Sequence, residues 1–408
     1  MKDLNTVYPT GYVLKKYNIT RQTLYNWEKA GLISPKRDWR GWRVWDSSTL
    51  LDIENLLSSK KIQNNNKTIS NNQELMINNR RYLGSKQKLI PFIKKVVSKE
   101  CEDIKTFADI FAGTGVVAHE FNDINTKIIV NDILYSNYLA YITWFSDDYY
   151  DFKKISKLIN EFNNMVVSKD NYVSRNFGGT YFTIENARKI GAIREEIESM
   201  TDITSREKAI LITSLLYAMD KVANTCGHYD AYIKILDTTE PLYLQVPAIK
   251  KQEINKGNMI FNEDANKLVK RISSDLIYID TPYNSRQYSD AYHLLENIAR
   301  WEKPEVTGVA RKMIDRSKIK SDYCTVKAPK VFKDLISNID SKYILVSYNN
   351  MGQKGDGRSN AKISDEEIID SLRKKGEIKV FYTDFQYFTA GKTQLKDHKE
   401  RLFLCKCK

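Results

Sequence analysis

Short apolar runs and longer amphipathic stretches alternate over most of this chain, and the two rhythms predict different elements. Leu276-Ile277-Tyr278-Ile279 is apolar at every position and stops at Asp280-Thr281-Pro282-Tyr283. A short run without period-2 alternation reads as a strand buried on both faces, as in parallel sheets. Further strands are predicted at the start of Thr106–Gly115 and at Lys127–Val130, Tyr343–Tyr348, Ile378–Phe381 and Arg401–Cys405. Helical stretches fall at Leu89–Ser98, Val116–Phe121, Ala265–Ile272 and Tyr292–Ala299. Strands alternating with helices predict an α/β fold on an open sheet. From 139 to 257 the alternation fails. There Tyr150–Val166, Ile184–Ser199 and Arg206–Val222 read as helices, so a helical insertion interrupts the sheet.

The first 58 residues follow another plan. Tyr12–Tyr17 and Arg21–Lys29 read as two short helices, with Thr20 capping the second and Gly31 closing it. A basic, Trp-rich hairpin follows at Lys36–Trp45, then a helix at Leu50–Leu57 capped by Ser47 or Ser48. From Ser58 to Asn79 the pattern dissolves into asparagines, the composition of a linker. The expected organisation is a small helical domain at 1–58, a linker at 59–79, a sheet domain at 80–138 and 258–408, and the insertion at 139–257.

Charge narrows the partners. The 408 residues carry 64 Lys plus Arg against 51 Asp plus Glu, a net +13. Such a surplus points to a polyanion, nucleic acid first. No apolar run is long enough to span a bilayer, and the N-terminus lacks a signal peptide's apolar stretch. Five scattered cysteines and four histidines form neither a zinc pattern nor a disulfide framework, so no metal is expected. The expectation is a cytoplasmic protein with no membrane partner.

Candidate chemistry lies where strands end. In open α/β sheets, ligands bind outside the carboxyl ends of the strands. Asp280 and Tyr283 stand at such an end; the bland alternative is a Pro turn with a packed Tyr. Thr106–Gly115 is strand, Gly-rich turn, then helix: Gly113 and Gly115 let main chain approach a ligand, and Asp109 can hydrogen-bond it. It is neither a Walker loop nor a full Gly-x-Gly-x-x-Gly. Asp132 ends the second strand, where a ribose diol is bound in such sheets, although it could equally cap the next helix. Gly84-Ser85-Lys86 at a helix start presents donors to an anion, or is an ordinary basic loop. Asp264 contacts a ligand base or caps its helix. His228, between Gly227 and Tyr229, is a turn residue or a polar contact to nucleic acid. In the first domain, helix-turn-helix geometry would expose Arg21, Gln22, Tyr25 and Asn26 toward bases and phosphates, with Arg40 and Arg43 on the basic hairpin.

Two resemblances follow from these residues. Ile19 to Ile33 with Arg43-Val44-Trp45 resembles the MerR-type winged helix-turn-helix, which implies DNA contact. Tyr82-Leu83-Gly84-Ser85-Lys86, Phe107 to Gly115, Asn131-Asp132 and Asp280-Thr281-Pro282-Tyr283, in that order, resemble the Dam-like, alpha-ordered adenine-specific DNA methyltransferases. One departure is Thr281 in place of the first Pro of Asp-Pro-Pro-Tyr. That family position supplies a main-chain carbonyl, which Thr also has. The resemblance implies a Rossmann-like methyltransferase sheet with the insertion recognising the target, and S-adenosylmethionine as cofactor. It implies transfer to N6 of a flipped adenine in double-stranded DNA, with Asp280, Thr281, Pro282 and Tyr283 catalytic. It places the cofactor across Tyr82, Lys86, Asp109, Phe111, Gly113, Gly115, Asp132 and Asp264. It further implies a restriction-modification setting with a cognate endonuclease as partner. The rival expectations are an RNA or protein methyltransferase with a similar motif, and a DNA-binding regulator on a decayed fold.

Overall fold

The computed structural model describes residues 7–17, 19, 21–29, 31–38, 40–46, 48–54, 74–236, 240–349, 361–384 and 399–408. Thr20, Ser47, most of the Asn-rich linker, Asn350-Met351-Gly352 and the loop carrying Lys392 and Lys396 lie outside them. The chain divides into two compact units, Met1–Gln73 and Glu74–Lys408.

The first unit runs β1 (Tyr8–Pro9), α1 (Thr10–Tyr17), α2 (Arg21–Lys29), β2 (Lys36–Arg37), β3 (Arg43–Trp45) and α3 (48–54). The strands form an antiparallel sheet in the order β1-β3-β2. Val13, Leu24, Trp27, Ile33, Trp45, Leu50 and Ile53 form its core. Gly31 closes α2 as expected: at φ 69° its amide bonds Glu28 O, and the Leu32 amide bonds Trp27 O. At the start of α3, Asp46 Oδ1 accepts from the Thr49 amide at 3.0 Å and from the Ser48 hydroxyl at 2.7 Å, so a carboxylate not singled out in the sequence helps cap the helix. Ser48 lies within the helix.

The second unit opens with α4 (Ile90–Glu100), β4 (Thr106–Asp109), α5 (Val116–Phe121), β5 (Lys127–Asn131) and α6 (Tyr135–Phe145). Four helices follow: α7 (Phe152–Asn164), α8 (Tyr172–Phe177), α9 (Ile184–Ser199) and α10 (Ser205–Val222). The chain then returns through α11 (Gln252–Asn255), β6 (Met259–Phe261), α12 (Ala265–Leu268) and β7 (Ser273–Ile279) to α13 (Tyr288–Ala291) and α14 (His293–Arg300). It ends with a hairpin of β8 (Val306–Thr307) and β9 (Lys312–Met313), then α15 (Ala328–Asn338), β10 (Asp340–Asn349), α16 (Asp365–Arg373), β11 (Gly376–Asp384) and β12 (Lys399–Cys407).

One seven-stranded sheet has the order β11-β12-β10-β7-β4-β5-β6. All pairings from β10 to β6 are parallel; β12 lies antiparallel between β10 and β11. From β4 the chain steps outward to β5 and β6, then returns to β7 on the other side and steps outward again. The order therefore reverses between β4 and β7. Helices leave in opposite directions at such a switch point and open a crevice at the strands' carboxyl ends. Both sheet faces are covered. One packs with α4, α5 and α6 around Phe107, Val130 and Tyr278; the other packs with α12, α15 and α16 around Ile129, Ile277 and Phe332.

Two boundaries of the expected insertion change. Position 139 falls inside α6, whose Ala140, Tyr141 and Trp144 pack on the sheet while Leu139 faces the insertion core. And α14, expected in the sheet domain, buries Leu294, Leu295 and Ile298 in that same core with Ile190, Leu215 and Met219. α6 is apolar on more than one side and is shared between the two parts, whereas α14 packs its apolar residues into the insertion core.

Candidate active site

The switch point holds a cavity of about 560 Å³. The glycine turn after β4 forms one wall and the residues after β7 another. Tyr82, Lys86, Asp109, Phe111, Gly113, Asp132, Asp264, Asp280 and Pro282 all line it. Gly115, Thr281 and Tyr283 do not. Four motifs far apart in sequence thus face one space, and that space is not filled by packed side chains.

The glycine turn is held from behind. Gly113 has φ 53°, and a Cβ there would meet Tyr82 Cε1 at 3.0 Å, so only glycine fits both the backbone and the ring. Its amide donates to Asp132 Oδ2 at 3.0 Å, and Tyr141 donates its hydroxyl to Gly113 O at 2.7 Å. Gly115, at φ 76°, is the residue before α5 and packs against Tyr141 and Phe145. Asp132 Oδ1 accepts from the Leu134 amide at 2.8 Å. Burial raises this carboxyl to a pKa of about 6, against the pull of the Leu134 and Gly113 amides. Asp264 caps α12 by accepting from Lys267 N at 3.1 Å while lining the cavity, so both expected roles are compatible.

Asp109 is 1% exposed, and among the described residues neither oxygen has a hydrogen bond of normal geometry. Burial and then the neighbouring Asp280 hold its pKa well above the carboxylate range, with the Ala118 amide opposing. A buried carboxyl left without partners at a cavity wall is costly unless a ligand donor completes it.

At the other wall, Asp280 is bound on both oxygens. Lys86 Nζ lies 2.8 Å from Oδ2, and Tyr283 donates its hydroxyl to Oδ1 at 3.2 Å. Lys86 also donates to Gly84 O at 3.1 Å and to the Tyr283 hydroxyl, and lies 3.6 Å from Glu400 Oε1. Burial raises the pKa of Asp280, while the Lys86 ammonium and the Tyr283 hydroxyl oppose that rise. Lys86, expected beside a bound anion, is therefore first a partner of Asp280. Tyr283 is 8% exposed and packs edge-on against Tyr348, with centroids 5.5 Å apart. Thr281 is 1% exposed.

The remaining candidates are elsewhere. His228 sits half-buried in the loop after α10, its Nδ1 accepting from the Asp230 amide at 3.3 Å; burial, then Arg286, lower its pKa and favour the neutral ring. In the first unit Arg21 and Tyr25 are exposed on α2; the side chains of Gln22 and Asn26 lie outside the described residues. Arg40 is exposed on the hairpin, over the Trp42 ring at 4.9 Å. Arg43, half-buried, pairs with Glu28 of α2 at 2.6 Å and ties the hairpin to that helix.

Other residues at the site were given no role from the sequence. Tyr141 comes from mid-helix, whereas Glu400 on the last strand and Glu296 lie in stretches, Glu400-Arg401-Leu402-Phe403 and Tyr292 to Glu296, that resemble restriction-modification relatives. Glu296 of α14 is fully buried and accepts from the Tyr135 and Ser136 amides, capping α6 just after Asp132. Among the described residues there is no metal-ligand cluster, and no helix is long and apolar enough to cross a membrane.

A crevice at the switch of a mostly parallel sheet, with a carboxylate and a tyrosine beside it, is the ligand-binding place of open α/β sheets. The comparison with known families is direct: residues 82–354 match the D12 class N6 adenine-specific DNA methyltransferases, and the chain belongs to that family. It is 38% identical over 310 residues to the modification methylase StsI of Streptococcus sanguinis, covering 72% of this chain and 46% of that protein. It is 32% identical over 333 residues to the type II methyltransferase M.NlaIII of Neisseria lactamica, covering 78% of this chain and 95% of that protein. M.FokI of Planomicrobium okeanokoites is 32% identical over 295 residues, 67% of this chain and 45% of its own length. The chain thus spans about half of StsI and M.FokI and nearly all of M.NlaIII. The family implies S-adenosylmethionine. The cavity suits it: Asp109 and Asp132 on one wall and Asp280 on the other offer acidic acceptors to a ligand bearing a sulfonium and an ammonium.

Proposed function

We propose that this chain is a site-specific DNA methyltransferase, the modification arm of a restriction-modification system acting in the cytoplasm. It transfers the methyl group of S-adenosylmethionine to the N6 amino group of an adenine flipped out of duplex DNA. The observation that carries this reading is the open cavity joining the glycine turn to Asp280.

The adenine amine is a poor nucleophile because its lone pair is delocalised into the ring. Asp280 and the carbonyl of Thr281 accept its two hydrogens and hold the nitrogen so that its lone pair faces the methyl group. Catalysis is then positioning plus electrostatic support of developing positive charge. Tyr283 stacks on the flipped base and helps offset an unstacking cost of a few kcal/mol. The cofactor, when bound, supplies the methyl group on a sulfonium. Asp109 and Asp132 would accept from its ammonium and ribose, Tyr82, Phe111 and Gly113 would enclose it, and Asp264 would meet its base. Pro282 shapes the turn that presents Asp280, Gly115 starts α5 close behind the turn, and Lys86 keeps the Asp280 carboxylate ionised before substrate arrives.

The finer subtype is the Dam-like, alpha-ordered one, with 139–257 as target-recognition insertion in the helical part. The first unit acts as a MerR-type winged helix-turn-helix, with Arg21, Gln22, Tyr25, Asn26 and Arg40 toward DNA, and His228 making a neutral contact from the insertion side. A cognate endonuclease is the expected partner. Transfer of a tritiated methyl group to duplex DNA, and not to RNA of the same sequence, tests the reading. Asp280→Ala should lower transfer by roughly 10²–10³-fold while keeping cofactor binding. Undiminished turnover in that variant would refute the site.

A further inference from the structure

Glu400 stands behind the Asp280 wall and takes no part in the mechanism above. It lies on β12, opposite Asn349 of β10 across the ladder, and is 1% exposed. Its Oε1 accepts from Ser347 Oγ at 3.5 Å and faces Lys86 Nζ at 3.6 Å; among the described residues Oε2 has no hydrogen bond of normal geometry. A buried carboxylate with one oxygen unpartnered is expensive to keep. Its position beside the single ammonium that holds Asp280 gives it a use.

The accounting at Asp280 poses the problem. In this structure the carboxylate is engaged by Lys86 at 2.8 Å and by Tyr283 at 3.2 Å. An arriving amino group needs an acceptor there, and an ammonium seated on the same oxygen competes for it. Lys86 is 4% exposed, so a second anion inside the protein has to hold it when it leaves Asp280; among the described residues Glu400 lies within reach. The transfer is short, of the order of the difference between the two Lys86 distances, and no new charge is buried by it.

We propose that Glu400 is a positioning residue: it receives the Lys86 ammonium when a substrate amine occupies Asp280, and so frees that carboxylate to accept N6–H. The inference rests on the methyltransferase reading and deepens it. Glu400 must be ionised to do this. The groups that set its ionisation are Lys86, which favours it, Asp280, which opposes it, and the Asn349 side chain, which supports it; burial raises its pKa.

The test is a pH profile of single-turnover methyl transfer by wild type, Glu400→Gln and Glu400→Asp, with cofactor affinity measured on each. The Gln variant keeps shape and the Ser347 contact but removes the charge. The expected result is a rate about tenfold lower or more at pH 8 in Glu400→Gln, with S-adenosylmethionine affinity within about twofold of wild type. The decline of rate toward acid pH should also flatten. Glu400→Asp should recover that decline and part of the rate, which also decides the matter if the Gln variant folds poorly. A wild-type rate and acid limb in Glu400→Gln overturns the proposal and leaves the enzyme reading intact. A parallel loss of cofactor affinity in both variants overturns it too, assigning Glu400 a purely structural role. Absence of transfer by wild type itself overturns both.

Discussion

At the residue scale, the site is a set of carboxylates whose environments differ. Asp109 and Asp280 are buried beside each other, one without hydrogen-bond partners among the described residues and one paired to Lys86. Asp132 is held by two main-chain amides yet titrates near 6 because burial outweighs them. Its pKa is above that of an unfolded aspartate, so the folded chain holds this proton more tightly than the unfolded one. Its contribution to stability therefore falls as pH rises through about 4 to about 6, and is level above that. Ligand binding has the opposite sign. Only the ionised form is a full acceptor for a ribose hydroxyl, so affinity for S-adenosylmethionine should weaken as pH falls below about 6. Calorimetric titration at pH 8 and pH 5 should show this in wild type; Asp132→Asn should bind about tenfold more weakly at pH 8 and show a flatter pH dependence. An unchanged profile in the variant would remove Asp132 from the cofactor site.

At the element scale, the segment before Lys86 is fastened to the insertion by one buried ion pair. Arg80 Nε lies 3.0 Å from Asp220 Oδ2 on α10, and Arg80 Nη1 donates to Asn137 Oδ1 on α6 at 2.8 Å. Tyr229 donates to the other Asp220 oxygen at 2.7 Å. Two residues on, Tyr82 stacks on Tyr292, with centroids 4.5 Å apart, and covers Gly113. Removing one partner of a buried pair costs more than removing both, because a lone buried charge remains. Arg80→Met should cost about 3–5 kcal/mol in a urea unfolding series. Arg80→Met combined with Asp220→Leu should recover most of that loss; equal losses in both would mean the pair itself is the main support.

At the scale of the whole molecule, the second unit has its own continuous cores on both sheet faces and in the insertion. A chain beginning at residue 74 should therefore fold and bind S-adenosylmethionine with unchanged affinity. It should bind DNA more weakly, and with a shallower dependence on salt, because phosphate contacts from the first unit are lost. Identical salt slopes for the full and shortened chains would exclude the first unit from DNA binding. Much of this was legible in the residues. The strands, the glycine turn, the acids at strand ends and helix α2 with its Gly31 closure follow from near neighbours, through apolar runs, φ requirements and caps. What near neighbours do not encode was not legible: Arg43 bound to Glu28, and α6 shared between insertion and sheet. By itself the sequence determined which short segments could bind and react, because their chemistry is written in consecutive side chains. Only the tertiary structure decided that Lys86 rests on Asp280 and Tyr283, 197 positions away from the latter, with Glu400 behind it. Those contacts depend on strand order and on the crevice between β4 and β7, which no local pattern specifies.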